Sequence, residues 1–163
     1  MRRRVVEQFL RPHRMPQEAY RGVGSVFYTI CLETDAKGLT GPAVAAFCID
    51  VLQRRMAAAQ TRIDAFCFMP DHLHVLATGM IESADSWLGI VQFKQVTGKW
   101  FWSEGIGIAW QRRFDGRILN GWEAAEPVAE YIMNNPVRAG LVEAWQYYPH
   151  SGRTEWKPWG YTV

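Results

Sequence analysis

Cysteine is scarce. Cys31, Cys48 and Cys67 are the only three, and no two form a C-x-x-C pair. An odd number of thiols in apolar surroundings argues against a disulfide framework and a cysteine zinc site, and suits buried thiols in a reducing cytoplasm. Long apolar runs are missing too. No stretch approaches the roughly 18 residues of a membrane span, and the opening MRRRVVEQFLRPHR has no apolar h-region. A water-soluble protein of the cytoplasm is therefore expected, with no membrane partner. Internal repeats, low-complexity tracts, long linkers and a phosphate-cradling P-loop are also lacking. A formal charge of only +2 excludes a polycation, so an anionic partner would have to be held by a local patch.

What is present is an ordinary folding composition, 48% apolar and 21% charged, with eight tryptophans among 163 residues. That length suits a single domain over 1–163, since two cores would each be small and marginal. Within it we expect a basic arm at 1–21, a core at 22–148 and a tail at 149–163. Six of the 18 basic residues (Arg2, Arg3, Arg4, Arg11, Arg14 and Arg21) fall in the first 21 positions, against Glu7 and Glu18 as the acids there. Such an arm can pair with phosphates, or be no more than a solvated terminus.

Ser25 to Thr34 is dense in β-branched and aromatic residues and predicts a strand. From Pro42 to about Gln60, Val44, Phe47, Cys48, Val51, Leu52 and Met56 repeat at the spacing of one helix face. Ile63 to Met69 and His72 to Thr78 read as adjacent strands around a Pro70-Asp71 turn. Ser83 or Asp85 can cap a helix to about Trp102, against the breaking tendency of Gly89, Thr97 and Gly98. Ile108 to Phe114 predicts a short strand, and Pro127 to Asn134 a helix that Pro136 ends. The order β-α-β-β-α-β followed by a helical tail is the ferredoxin-like, RRM-like α+β pattern. It implies one antiparallel sheet with helices on one face and an additional C-terminal helix.

Three segments can carry chemistry. In MPDHLHVL, residues 69–76, alternation sends His72 and His74 to one face of a strand, where both imidazoles can meet one metal ion, while Leu73, Val75 and Ala77 face a core. Alone, this pattern suits structural histidines equally well. In EYIMNNPVRAGLV, residues 130–142, Tyr131 and Asn135 share one face if the helix persists, so a phenol and an amide can reach one site. A packed aromatic and a capping asparagine give the same letters. Asn135 precedes a proline, which pushes it from helical backbone and makes it a terminal residue. In WQRRFDGR, residues 110–117, Arg112, Arg113 and Arg117 are interleaved with Trp110 and Phe114, as suits phosphates and unpaired bases, with Lys94 and Lys99 extending the surface. A charged edge strand guarded against aggregation is the alternative.

Taken together, MPDHLH, WQRRF and YIMNNPVRAGLV, in this order, resemble the one-tyrosine HUH transposases of bacterial insertion sequences, most of all the REP-associated tyrosine transposases. The resemblance runs from about Tyr20 to Tyr148. It implies a ferredoxin-like core, a divalent cation held by His72, His74 and Asn135, and Tyr131 as the nucleophile that cleaves single-stranded or hairpin DNA. A 5′-phosphotyrosine and a free 3′-hydroxyl would result, and a second 3′-hydroxyl could reverse the step without ATP. Mixed nitrogen and oxygen ligation suits Mg²⁺ or Mn²⁺, Mn²⁺ being the more comfortable beside nitrogen, with zinc left open. Asp71 stands where the family commonly has asparagine. A monomer is favoured over a homodimer. The competing readings are a retired transposase that binds DNA hairpins as a regulator, and a small metallohydrolase with a water nucleophile.

Overall fold

The first strand, β1 (Gly24–Cys31), is built from alternating residues that serve two opposite cores. Tyr28 and Ile30 point to one side and Phe27 to the other. The computed structural model describes residues 15–121 and 124–154. The arginines of the expected arm, Arg2, Arg3, Arg4, Arg11 and Arg14, lie outside the described residues.

After β1 come helix α1 (Pro42–Ala58), with Pro42 in its first turn, then β2 (Thr61–Phe68) and β3 (His72–Gly79). Helix α2 (Ser86–Ser103) follows, its N-terminus capped by Asp85, whose carboxylate accepts from the Leu88 amide at 3.0 Å. Strand β4 (Asp115–Ile118), helix α3 (Ala125–Met133), a single turn α4 (Asn135–Arg138) and strand β5 (Ser151–Arg153) complete the order. The sheet runs β4-β1-β3-β2-β5, with each pair antiparallel. Its first four strands have the order that the β-α-β-β-α-β reading predicts, so the α+β, ferredoxin-like expectation holds.

Three expectations need correction. Helices do not lie on one face only. Helices α1 and α2 cover the face lined by Tyr28, Ile30, Leu73 and Val75, whereas α3 packs on the opposite face against Phe27, Ala65, Cys67 and Leu76. The fourth strand is not Ile108–Phe114. Trp110 forms one bridge to Leu32, and the Gln111 amide donates to the Cys31 carbonyl at 2.9 Å, but regular pairing begins at Asp115. Two side chains explain this. Trp110 turns inward to donate to Thr97 Oγ1 at 2.8 Å, and Phe114 packs on Trp87 with ring centroids 4.3 Å apart. Finally, Cys31 is only half-buried, unlike Cys48 and Cys67.

Helix α2 runs through Gly89, Thr97 and Gly98 despite their propensities. A Cβ on Gly89 would stand 2.6 Å from Met56 Sδ, so the missing side chain is what lets α1 and α2 approach. The Thr97 hydroxyl donates to the Phe93 carbonyl at 2.7 Å and is satisfied within the helix. At the far end of β3, a Cβ on Gly79 would stand 2.1 Å from the Gly22 carbonyl oxygen, a backbone atom with nowhere to go. Gly79→Ala should therefore cost about 2–3 kcal/mol of unfolding free energy, read as a lower urea midpoint. An unchanged midpoint would mean that the Gly22 loop yields freely.

Candidate active site

The face beneath α3 carries the candidate chemistry, because the period of a strand puts His72, His74, Leu76 and Thr78 there together. His74 is buried at 5% exposure and His72 is half-buried. Their ring centroids are 4.7 Å apart. Each imidazole is held by its Nδ1, that of His72 on Asp71 Oδ1 at 2.6 Å and that of His74 on Thr29 Oγ1 at 3.0 Å. Asp71 is thus an orienting partner of a candidate ligand, and Thr29, opposite His74 in the β1–β3 register, is a second one. Burial pushes His74 down to about 3, with smaller electrostatic contributions from the neighbouring His72 and Arg138. Its ring stays neutral at ordinary pH, with a lone pair available to a ligand.

Helix α3 brings the other half. Tyr131 lies with its ring centroid 5.9 Å from that of His74 and 6.1 Å from that of Phe27. The helix pauses at Asn134 and resumes for one turn, so Asn135 is the first residue of α4 rather than an extended residue displaced by Pro136. The Asn134 amide still donates to the Glu130 carbonyl and the Arg138 amide to the Asn134 carbonyl, both at 3.0 Å, which keeps the chain close to helical. From there the Asn135 side-chain amide comes 3.4 Å from His72 Nε2. Amide oxygen and nitrogen exchange places by a flip, so Oδ1 can occupy the same point.

This donor set fits a divalent cation. Two imidazoles with anchored Nδ1 atoms face an amide, and the Asp71 carboxylate and the Thr29 hydroxyl orient them from behind. Among the described residues no three His, Cys, Asp or Glu side chains are grouped to hold a metal. The side-chain amide of Asn135 is a candidate for the third protein ligand.

Sequence reasoning did not single out Arg138. Its guanidinium lies 3.9 Å from the centre of the Tyr131 ring, and its Nη1 donates to the Tyr131 carbonyl at 3.2 Å. The spacing of seven residues, two helical turns, was the available signal.

The basic residues divide. Arg112 and Arg113 are exposed on the edge segment between Gln111, bonded to Cys31, and Asp115, paired with Thr29. Cys31 and Thr29 oppose His72 and His74 across β1–β3, so this segment runs level with the histidines, one strand beyond them. Arg117 pairs with Phe27 on the same face. Its Nη2 is buried and, among the described residues, is the one buried side-chain nitrogen or oxygen without a hydrogen-bond partner. Lys94 is committed elsewhere, donating to the Gln111 carbonyl at 2.7 Å and the Arg112 carbonyl at 3.1 Å. Lys99 is exposed on α2, the helix of the opposite face.

A ferredoxin-like sheet with a histidine pair on its central strand and a tyrosine on a helix laid over them defines the class of fold. No protein-family model and no curated protein matches the chain. Among solved structures it is similar to a REP-associated tyrosine transposase bound to a REP hairpin. The TM-score is 0.70 and the identity 21%, covering 87% of this chain and 82% of that one. The chain has that transposase's fold, and the neighbour is of the family that its motifs resemble. Among the described residues no helix is long and apolar enough to cross a membrane.

Proposed function

We propose that the protein is a metal-dependent single-strand DNA endonuclease and strand transferase that acts on hairpin DNA through Tyr131. The observation that supports this reading is the convergence of His72, His74, Tyr131 and Asn135, from a central strand and a helix pair about 60 residues later, on one sheet face. The similarity to a hairpin-bound transposase points to the substrate class.

His72, His74 and Asn135 would hold Mg²⁺ or Mn²⁺, which when bound supplies Lewis-acid polarisation of the scissile phosphate. Tyr131 Oη attacks the phosphorus and forms an O–P bond as the bond to the 3′-oxygen breaks. The phenolic proton passes to solvent or a neighbouring base, and the departing 3′-oxygen takes up a proton. Attack by another 3′-hydroxyl runs the same exchange backwards and joins strands. Arg138, stacked on the phenol ring, fixes its orientation and brings a positive charge beside the incoming phosphate. Asp71 and Thr29 keep the imidazoles turned for ligation.

Incubation with a single-stranded REP hairpin and Mn²⁺ should give a protein–DNA adduct that survives a denaturing gel. Tight binding with no adduct under any metal would leave a DNA-binding regulator instead. The arginines beside the site should act through phosphates. Replacing Arg112 and Arg113 by alanine should lower the logarithmic salt dependence of hairpin binding by about 0.7 for each phosphate that is no longer neutralised. The same measurement on Arg2, Arg3, Arg4, Arg11 and Arg14 tests the arm, and an unchanged slope would make that segment a spectator. Lys94→Ala should leave the slope alone and loosen the Gln111–Arg112 segment.

A further inference from the structure

The α3 face extends beyond the histidines. At its other end, where β1 begins and β3 ends, a cavity of about 260 Å³ opens between Ser25, Arg62, Thr78, Met80, Leu119 and Ala125. One side is apolar. On the other, Ser25 Oγ and Thr78 Oγ1 share a hydrogen bond of 2.7 Å, and Thr78 donates to Asp64, a carboxylate with 5% exposure. Arg62 holds the same carboxylate through Nε at 2.6 Å and is itself one of the residues lining the cavity. Apolar walls with a few convergent polar groups form a site for a flat heteroaromatic ligand rather than for a purely lipophilic one.

The path from Tyr131 to this cavity is marked. Asp115, Arg117 and Leu119 alternate along the β4 edge: Asp115 is level with Thr29 and His74, Arg117 with Phe27, and the Leu119 amide donates to the Ser25 carbonyl at 2.9 Å. Each two-residue step advances about 6.8 Å, the order of one nucleotide of extended single strand. At the middle step stands Arg117, with its buried and unpartnered Nη2. A buried donor without an acceptor is costly, and a phosphate oxygen would relieve it.

We propose that this cavity receives one unpaired nucleobase of the DNA, its acceptor edge toward Arg62, with the backbone passing over Arg117 on the way to Tyr131. The proposal rests on the strand-transferase reading and adds to it a subsite remote from the cleaved bond. A REP hairpin with a single-stranded flank, carrying one abasic site walked along the flank, tests it by titration against the full chain. In wild type, loss of the base at one flank position should weaken binding roughly tenfold, the scale of a stacked base. Ala125→Phe, which fills the cavity, should bind the intact flank about that much more weakly and no longer respond to that abasic position. Val23→Trp, at the exposed mouth, repeats the test if the first variant does not fold. A flat abasic profile in wild type, or a filled cavity that still discriminates the position, overturns the subsite. A Tyr131 adduct formed alongside such a flat profile would keep the transferase reading, whereas failure to bind the intact hairpin would overturn both.

Discussion

Tyr131→Phe should abolish the covalent adduct while hairpin binding and the unfolding midpoint stay within about twofold and 0.5 kcal/mol of wild type. The substitution removes one oxygen and keeps the ring that packs on His74, Phe27 and Arg138. No hydrogen bond of the Tyr131 hydroxyl is found among the described residues, so the phenylalanine should leave no buried partner stranded. Three other tyrosines are placed for other work. Tyr28 Oη bonds Ser86 Oγ at 2.5 Å, Tyr20 Oη donates to the Gly116 carbonyl at 3.0 Å, and Tyr148 Oη donates to the Phe68 carbonyl at 2.5 Å. Burial pushes the Tyr28 and Tyr148 phenols far up, so they are poor nucleophiles. An equally abundant adduct in the Phe variant on a denaturing gel would remove Tyr131 from the mechanism. DNA cleavage that continues with no adduct would favour a metallohydrolase with water as nucleophile.

His72→Ala should lower the rate of adduct formation by on the order of 100-fold or more at fixed Mn²⁺, with part of the loss recovered at higher Mn²⁺, because ligand loss weakens capture before it touches the nucleophile. His72 suits this test better than His74, whose buried ring also packs on Phe27 at 5.3 Å between centroids. Removing His74 confounds ligation with a cavity. Titrating Mn²⁺ into the protein without DNA, followed by isothermal calorimetry, gives a readout separate from cleavage. If wild type and His72→Ala bind the ion alike, the histidine pair is structural.

The reach of the sequence varied with the kind of signal. Helix α1 and strand β3 are carried by strong periodicity, and their bounds fall close to the expected ones. The Asp85 cap is likewise local chemistry. The position of β4 is not. The β-prone letters of Ile108–Phe114 are diverted because Trp110 and Phe114 have better places in the core, and pairing shifts to Asp115. Periodicity shows that α3 has an apolar face but not which side of the sheet receives it. For the site, the histidine pair follows from alternation and the Tyr131–Asn135 spacing from the helix. Their junction is tertiary, with Asn135 meeting His72 and Tyr131 meeting His74. Arg138, Thr29 and the cavity beside Arg62 depend on residues brought together by the sheet and left no comparable trace.

Strand β3 has a paired neighbour on each side and sends Leu73, Val75 and Ala77 to one core while His72, His74 and Leu76 go to the other. A slip of one residue would exchange the two sets, driving imidazoles among the aromatics under α1 and α2 and turning leucine and valine toward Tyr131. The pairing that buries the apolar set is thus the same pairing that sets His72 and His74 beside Tyr131, and a chain in the wrong register would lose both together.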